Sequence, residues 1–342
     1  MGTPVIQTRR QFLEAGTAAA GALAGCGLLP ATASAQTPAQ APAQTPGIAR
    51  VLIGAPAGGA GDSFLRKLTD KMRGGYATSV IVENKPGAAG QIALMATRDA
   101  APDGGTMLMT PSTFFSVYPH TYPKLPYNPE TDFAAVSLLA FTNFGLAVGP
   151  LVPESVKDLK DFLAWAKANP DKATYGSPAP GSVPHLIVAA TAKLNNVDLR
   201  HVPYRGSVPG IQDMRGGQIA AMSSPIGALT PHLASGVRVL AVTGSGRSAL
   251  VPEVKTYREQ GVPITGREWF GMFLPGTAKP EVVTRVAAYL KLALQQKDLI
   301  DSATALGLEV ASSTPQELND MIRADSAEWR VWVKKIGFTA ES

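Results

Sequence analysis

From residue 48 onward the chain alternates short runs of branched and aromatic residues with stretches whose apolar side chains recur every three or four positions. Residues 50–53, 80–82 and 106–109 read as strands, with helices at 63–72 and 88–98 between them. That β-α-β-α-β order predicts a parallel sheet with right-handed crossovers. Two adjacent apolar runs, 134–141 and 144–148, then read as strands with no helix between.

A second series opens near Pro150. Residues 155–168 place Val156, Leu159, Phe162, Leu163 and Ala166 on one helical face, with Ser155 as the expected N-cap. Strands are expected at 173–175, 199–202, 219–222 and 237–242, and helices at 183–194, 208–215 and 226–234. After a strand at 269–274 only helices follow, at 280–295, 298–306 and 315 to about 335. Thr314, Pro315 and Glu317 give the last one a capping box. The order predicts two α/β lobes, 48–148 with 271–342 and 149–270, joined by two crossover strands with a cleft between. The C-terminal helices are expected to pack back on the first lobe.

The first 47 residues break this pattern. Arg9 and Arg10 precede Phe12 and Leu13, an apolar Gly/Ala-rich middle follows, and Ala33-Ser34-Ala35 closes it. This is the layout of a secretory signal peptide, and the Arg pair points to the twin-arginine route. Two processing routes stay open: cleavage after Ala35, or lipidation at Cys26, the single cysteine, which ends a Leu-Ala-Gly-Cys box. Residues 36–47, rich in Gln, Ala, Pro and Thr, read as a low-complexity tether. The expected location is the periplasm.

Composition narrows the classes further. Charged residues are 17% against 45% hydrophobic, which excludes intrinsic disorder. One Cys excludes a disulfide scaffold, and 34 Gly with 28 Pro exclude a coiled coil. A net charge of +5 raises the question of nucleic acid, but no basic block is interleaved with aromatics, and no such partner is expected.

The most informative loop follows the first strand: Pro56, then Ala57, Gly58, Gly59, Ala60, Gly61 and Asp62, which leads into a helix. Glycine lets backbone approach a ligand closely, and a helix start offers unpaired N–H groups at the positive dipole end. A carboxylate fits there without Lys or Arg; a plain strand-to-helix turn capped by Asp62 fits equally well. A dinucleotide fingerprint fails because Phe64 stands where its third Gly belongs, and no P-loop Gly-Lys-Ser/Thr follows. No G-x-S-x-G occurs, and His120, His185, His201 and His232 show no i, i+4 pairing. No catalytic residue, metal site or cofactor is assigned.

Several segments together resemble one family. Residues 56–62 match P-x-G-G-x-x-D, residues 82–90 match V-E-N-x-P-G-A-x-G, and residues 201–207 match H-V-P-Y-[KR]-G-S, with Gly216-Gly217-Gln218 following. Residues 101–106 and 122–127 match two further segments. The chain resembles the substrate-binding proteins of tripartite tricarboxylate transporters, the Bug receptors. That resemblance implies a periplasmic binding protein-like fold of type II and a receptor that performs no chemistry. It implies a small organic carboxylate as ligand and a separate membrane permease as partner. It also implies that Ala57 to Asp62 hold the carboxylate from one lobe. Gly181, Ser182, His185, Tyr204, Arg205, Gly206 and Ser207 would meet it from the other, with Ser112 and Thr113 as further candidates.

Two departures bear on the ligand. Pro184 precedes His185 where the family often has a polar residue, and Ser223-Ser224 stand where it often has Asp or Asn, which makes Ser224 a candidate too. These predict a ligand whose distal end is less polar; Phe114 and Phe115 nearby add an aromatic end as one option, with plain core packing as their other reading. The alternatives are an exported enzyme acting on a small acid, or a protein presenting ligand to a sensor kinase; a monomer is expected.

Overall fold

The computed structural model describes residues 47–339. The signal peptide, Cys26 and nearly all of the tether lie outside the described residues.

The first α/β series forms as the periodicity predicts: β1 (Ile48–Ile53), α1 (Ala60–Met72), β2 (Ser79–Asn84), α2 (Gln91–Arg98) and β3 (Thr106–Pro111). A π-helix, Thr113–Val117, and a single turn, α3 (Tyr118–Thr121), then lead to β4 (Phe133–Thr142) and β5 (Phe144–Val148). Next come α4 (Leu159–Ala168), β6 (Thr174–Ser177), α5 (Val183–Leu194), β7 (Arg200–Pro203) and α6 (Ser207–Arg215). They are followed by β8 (Ala221–Pro225), α7 (Ile226–Leu229) and β9 (Arg238–Val242). The chain ends with β10 (Glu268–Pro275), α8 (Pro280–Leu294), α9 (Lys297–Ala305), β11 (Leu308–Val310) and α10 (Pro315–Ile336).

These strands make two sheets, β11-β4-β10-β3-β1-β2 and β7-β6-β8-β5-β9. In the first, β1 pairs parallel with β2 and β3, while β10 runs antiparallel between β3 and β4. In the second, β6 pairs parallel with β7 and β8, and β5 runs antiparallel between β8 and β9.

The changeover between sheets differs from the expected boundaries at 148/149 and 270/271. It falls at Asn143 and ahead of Glu268, since Phe144 pairs with Pro225 and Glu268 with Thr142. Both flanking strands are buried apolar runs, so periodicity alone could not assign β5 to a sheet.

Local signals explain most element ends. Thr314 Oγ1 accepts from the Glu317 N–H at 3.2 Å and Glu317 returns the bond to the Thr314 N–H at 2.7 Å, the expected capping box. Helix α4 starts later than expected, because Asp158 and not Ser155 is the N-cap; its carboxylate accepts from the Asp161 N–H at 2.9 Å.

The last helix also departs from expectation. Helices α8 and α9 cover the first sheet, through Val286, Leu290 and Leu299. Helix α10 begins there, with Leu318, but its end places Trp329 and Val333 in the core of the second sheet. Its 22 residues span about 33 Å at 1.5 Å per residue, long enough to join both cores. The π-helix does the same over one turn, with Phe114 and Phe115 in the first core and Val117 in the second.

Candidate functional site

Strand direction decides where a site can form. The C-terminal ends of β1, β2 and β3 share one edge, and both crossings leave from it, because β4 ends and β10 begins there. The same holds in the second sheet: β6, β7, β8 and β9 all end at the edge where β5 begins. The two carboxyl edges therefore meet at the crossings, and the loops that follow them line the space between. In open α/β sheets ligands bind outside such edges. The sequence-predicted residues fall on these loops: Ala57 to Asp62 after β1, Ser112 and Thr113 after β3, Gly181, Ser182 and His185 after β6, Tyr204 to Ser207 after β7, and Ser224 near the end of β8.

In the first sheet the loop before α1 is exposed from Ala55 to Gly59 and built almost entirely of backbone. Gly58 takes a φ of +89° with nothing within 4 Å of a Cβ built there. Gly59 is the N-cap of α1 and offers no side-chain cap, so the first amides of the helix have no internal acceptor.

Asp62 is buried, and its carboxylate is engaged within the loop. It accepts from the Gly58 N–H at 2.9 Å, from Arg66 Nε and Nη2 at 3.0 Å each, and from Asn84 Nδ2 at 2.9 Å. Burial pushes this carboxyl up, but the bonds from Arg66, Gly58 and Asn84 outweigh it and hold it below the usual carboxylate range. Asp62 thus shapes the loop, and its own charge is turned toward Arg66.

Two glycines bring the neighbouring turn into place. A Cβ on Gly54 would lie 2.5 Å from the Gly90 carbonyl oxygen, so only glycine permits that approach. Arg66, Asn84 and Gly54 escaped the sequence reading. Asn84 and Gly90 lay inside the 82–90 motif, and Arg66 carried the i, i+4 signal from Asp62.

Ser112 and Thr113 are almost fully buried. The Ser112 N–H donates to the Trp269 carbonyl at 2.8 Å, and the Thr113 hydroxyl donates to Glu268. Burial pushes the Glu268 carboxyl up to about 7, against the hydrogen bonds from Thr113. Phe114 and Phe115 are core residues: Phe115 stacks on Phe273 at 4.3 Å and Phe114 meets Tyr118 edge-on at 5.0 Å. They add no aromatic wall to the space between the sheets.

The facing loops are held by neutral groups. The Gly181 N–H donates to His185 Nδ1 at 2.8 Å, and His185 stacks on His201 at 3.8 Å. His201 Nε2 pairs with Ser177 Oγ at 2.8 Å. Burial brings His185 down to about 3 and His201 down to about 4, so both are neutral near pH 7. Ser182 Oγ donates to the Ala179 carbonyl at 2.7 Å, and Tyr204 donates to Asp213 at 2.8 Å. Ser224 Oγ donates to Ser207 Oγ at 2.6 Å.

Helices α5 and α6 both begin without a side-chain cap, at Ser182 and Gly206. Pro184 and Pro209 each remove one amide donor from those first turns. Arg205 is exposed and takes part in none of the ion pairs among the described residues. No cluster of three potential metal ligands occurs among the described residues.

Two α/β lobes with opposed carboxyl edges and uncapped helix starts define a periplasmic binding protein-like fold of type II. Comparison with known proteins agrees. Residues 64–338 match the family described as "Tripartite tricarboxylate transporter family receptor". A protein encoded in the gbd 5′ region of Cupriavidus necator is 31% identical over 96% of this chain and 98% of its own length. BugT of Bordetella pertussis is 28% identical over 92% of this chain and 97% of its own. Among solved structures, R. palustris Rpa4515 with adipate superposes with a TM-score of 0.80 at 26% identity, covering 85% of this chain and 98% of that one. MatC of Rhodopseudomonas palustris with bound malate gives 0.75 at 28% identity, covering 84% and 98%. The chain belongs to the tripartite tricarboxylate transporter receptor family, the Bug receptors, whose members are solute-binding proteins and not enzymes.

Proposed function

We propose that this chain is a periplasmic receptor that holds a small organic carboxylate between its two sheets and passes it unchanged to a tripartite tricarboxylate-type permease. The observation that carries this reading is that uncapped helix starts follow the carboxyl edges of both sheets, α1 in the first and α5 and α6 in the second. The adipate and malate bound by two structural neighbours support it. Ala57 and Gly59 to Gly61 supply backbone donors to one carboxylate, and Asp62 keeps them in position by holding the Gly58 amide. Ser182, Arg205, Gly206, Ser207 and Ser224 meet the other end of the ligand. With Pro184 and Pro209 removing donors there, that end is the less polar one. Phe114 and Phe115 lie in the core and do not single out an aromatic acid, so an aliphatic chain fits equally.

The test is a thermal-shift screen over aliphatic and aromatic mono- and dicarboxylates, followed by calorimetry. The reading expects 1:1 binding to a monomer and recovery of the ligand unchanged. Stabilisation by citrate or aspartate alone would overturn the less polar distal end, and turnover of the ligand would overturn the receptor. Mass spectrometry of the periplasmic protein will distinguish a mature start after Ala35 from a lipidated Cys26.

A further inference from the structure

Glu268 opens β10, where the chain re-enters the first sheet, and its partner across the ladder is Thr142, next to Asn143 at the other crossing. Both passages between the sheets therefore run side by side at this carboxyl. Glu268 is 6% exposed, and its donors are the hydroxyl and N–H of Thr113, the first residue of the π-helix. Next along β10, the Trp269 indole N–H donates to Asp325 Oδ2 of α10 at 2.6 Å. These two bonds tie the crossing strand to the π-helix and to α10, the two elements that enter both cores.

Among the described residues no cation forms an ion pair with Glu268 or Asp325. Arg267, beside Glu268 in sequence, is paired with Glu309 and lies 3.5 Å over the ring of Phe141. From α10, Glu328 adds a further negative charge near Asp325. From α3, Tyr118 lies close enough to feel Glu268, while His120 binds Ser326 at 2.8 Å and its imidazole is pushed down by burial. A cavity of about 210 Å³ lined by Thr265, Gly266, Arg267, Asp325 and Glu328 gives water a route to the Asp325 end.

We propose that Glu268, assisted by Asp325, is a proton-operated latch on the crossings between the two sheets, through which pH regulates the ligand affinity of the space between them. This rests on the receptor reading above. Protonated, Glu268 stays dry between Thr113 and Thr142 and holds the crossings as described. Ionised, it needs water or a counter-charge that no neighbouring element supplies, so the arrangement that exposes it gains. Burial sets this transition for Glu268 at about 7 and for Asp325 at about 6, within the range an exported protein meets.

The test measures the Kd of adipate by calorimetry from pH 5.5 to 8.5 and, in ligand-free protein, the scattering radius and the carboxyl ¹³C titration of Glu268. The expected result is at least a threefold change in Kd with a midpoint near 7, and a radius that changes with the same midpoint. Glu268→Gln should be flat and fixed at the low-pH values. Asp325→Asn should move the midpoint down, because it removes the neighbouring negative charge. A flat wild type, or Glu268→Gln that still titrates, overturns the latch. If no carboxylate binds, the receptor reading fails separately, and the ligand-free measurements still decide the latch: a Glu268 that titrates near 4.5, or titrates near 7 without a change in radius, overturns it.

Discussion

At the scale of single residues, the loop before α1 shows how an acidic side chain can hold the backbone of the proposed anion site. Asp62 neutralises Arg66, fixes the Gly58 amide and reaches Asn84, whose own Nδ2 also donates to the Ala55 carbonyl at 3.1 Å. Replacing it by Ala releases the loop and leaves Arg66 without its partner. Asp62→Ala should weaken carboxylate binding by tenfold or more while lowering stability by about 1–2 kcal/mol, the range for lost charge-assisted hydrogen bonds from a half-exposed Arg66. Asp62→Asn, which keeps an acceptor for Gly58, should recover part of the affinity. Calorimetry beside chemical denaturation checks the pair, and equal losses in both would mean that Asp62 merely supports the fold.

Elements were legible in proportion to how local their signals are. The β-α-β-α-β opening and the Thr314 box could be read because periodicity and caps lie within a few residues of one another. The assignment of β5 to the second sheet could not, since pairing with β8 and β9 depends on residues about 70 to 100 positions away. The π-helix was equally hidden: Thr113 to Val117 are all buried and carry no amphipathic stripe. The site was legible where glycines and motifs marked it. It was not legible where a distant partner decides a side chain's role, as with Thr113 and Glu268 or His185 and His201. Helix α10 yields a prediction at this scale. Trp329 is its anchor in the second core, so Trp329→Ala should cost about 3–5 kcal/mol. Thr314→Ala, at the other end, should cost about 1 kcal/mol. Denaturant titration will show the contrast, and comparable losses would argue against the anchor.

For the whole molecule, the two lobes also touch at a seam apart from α10 and the π-helix. A Cβ on Gly227, in α7, would lie 1.9 Å from the Leu306 carbonyl oxygen, so the second lobe meets the turn after α9 backbone to backbone. Gly227→Ala cannot be accommodated unless the backbone on one side of the seam shifts. Because the seam lies beside the Asn143 crossing, where the Ile226 N–H donates to the Asn143 carbonyl at 2.9 Å, the variant should shift the resting angle between lobes. Small-angle scattering should show a larger ligand-free radius for Gly227→Ala than for wild type. An unchanged radius in a folded variant would mean that the seam yields locally.

The backbone grip proposed for the loop before α1 has a consequence for how such receptors diversify. Every residue but proline carries an amide N–H, so the hold on a ligand's charged end is written in the path of the chain and not in side-chain identities. Substitutions on the opposite wall can then exchange one acid for another while the anchor stays intact. One scaffold can in this way be retuned many times, at the few positions that read the far end of the cargo, without rebuilding its hold on the charge.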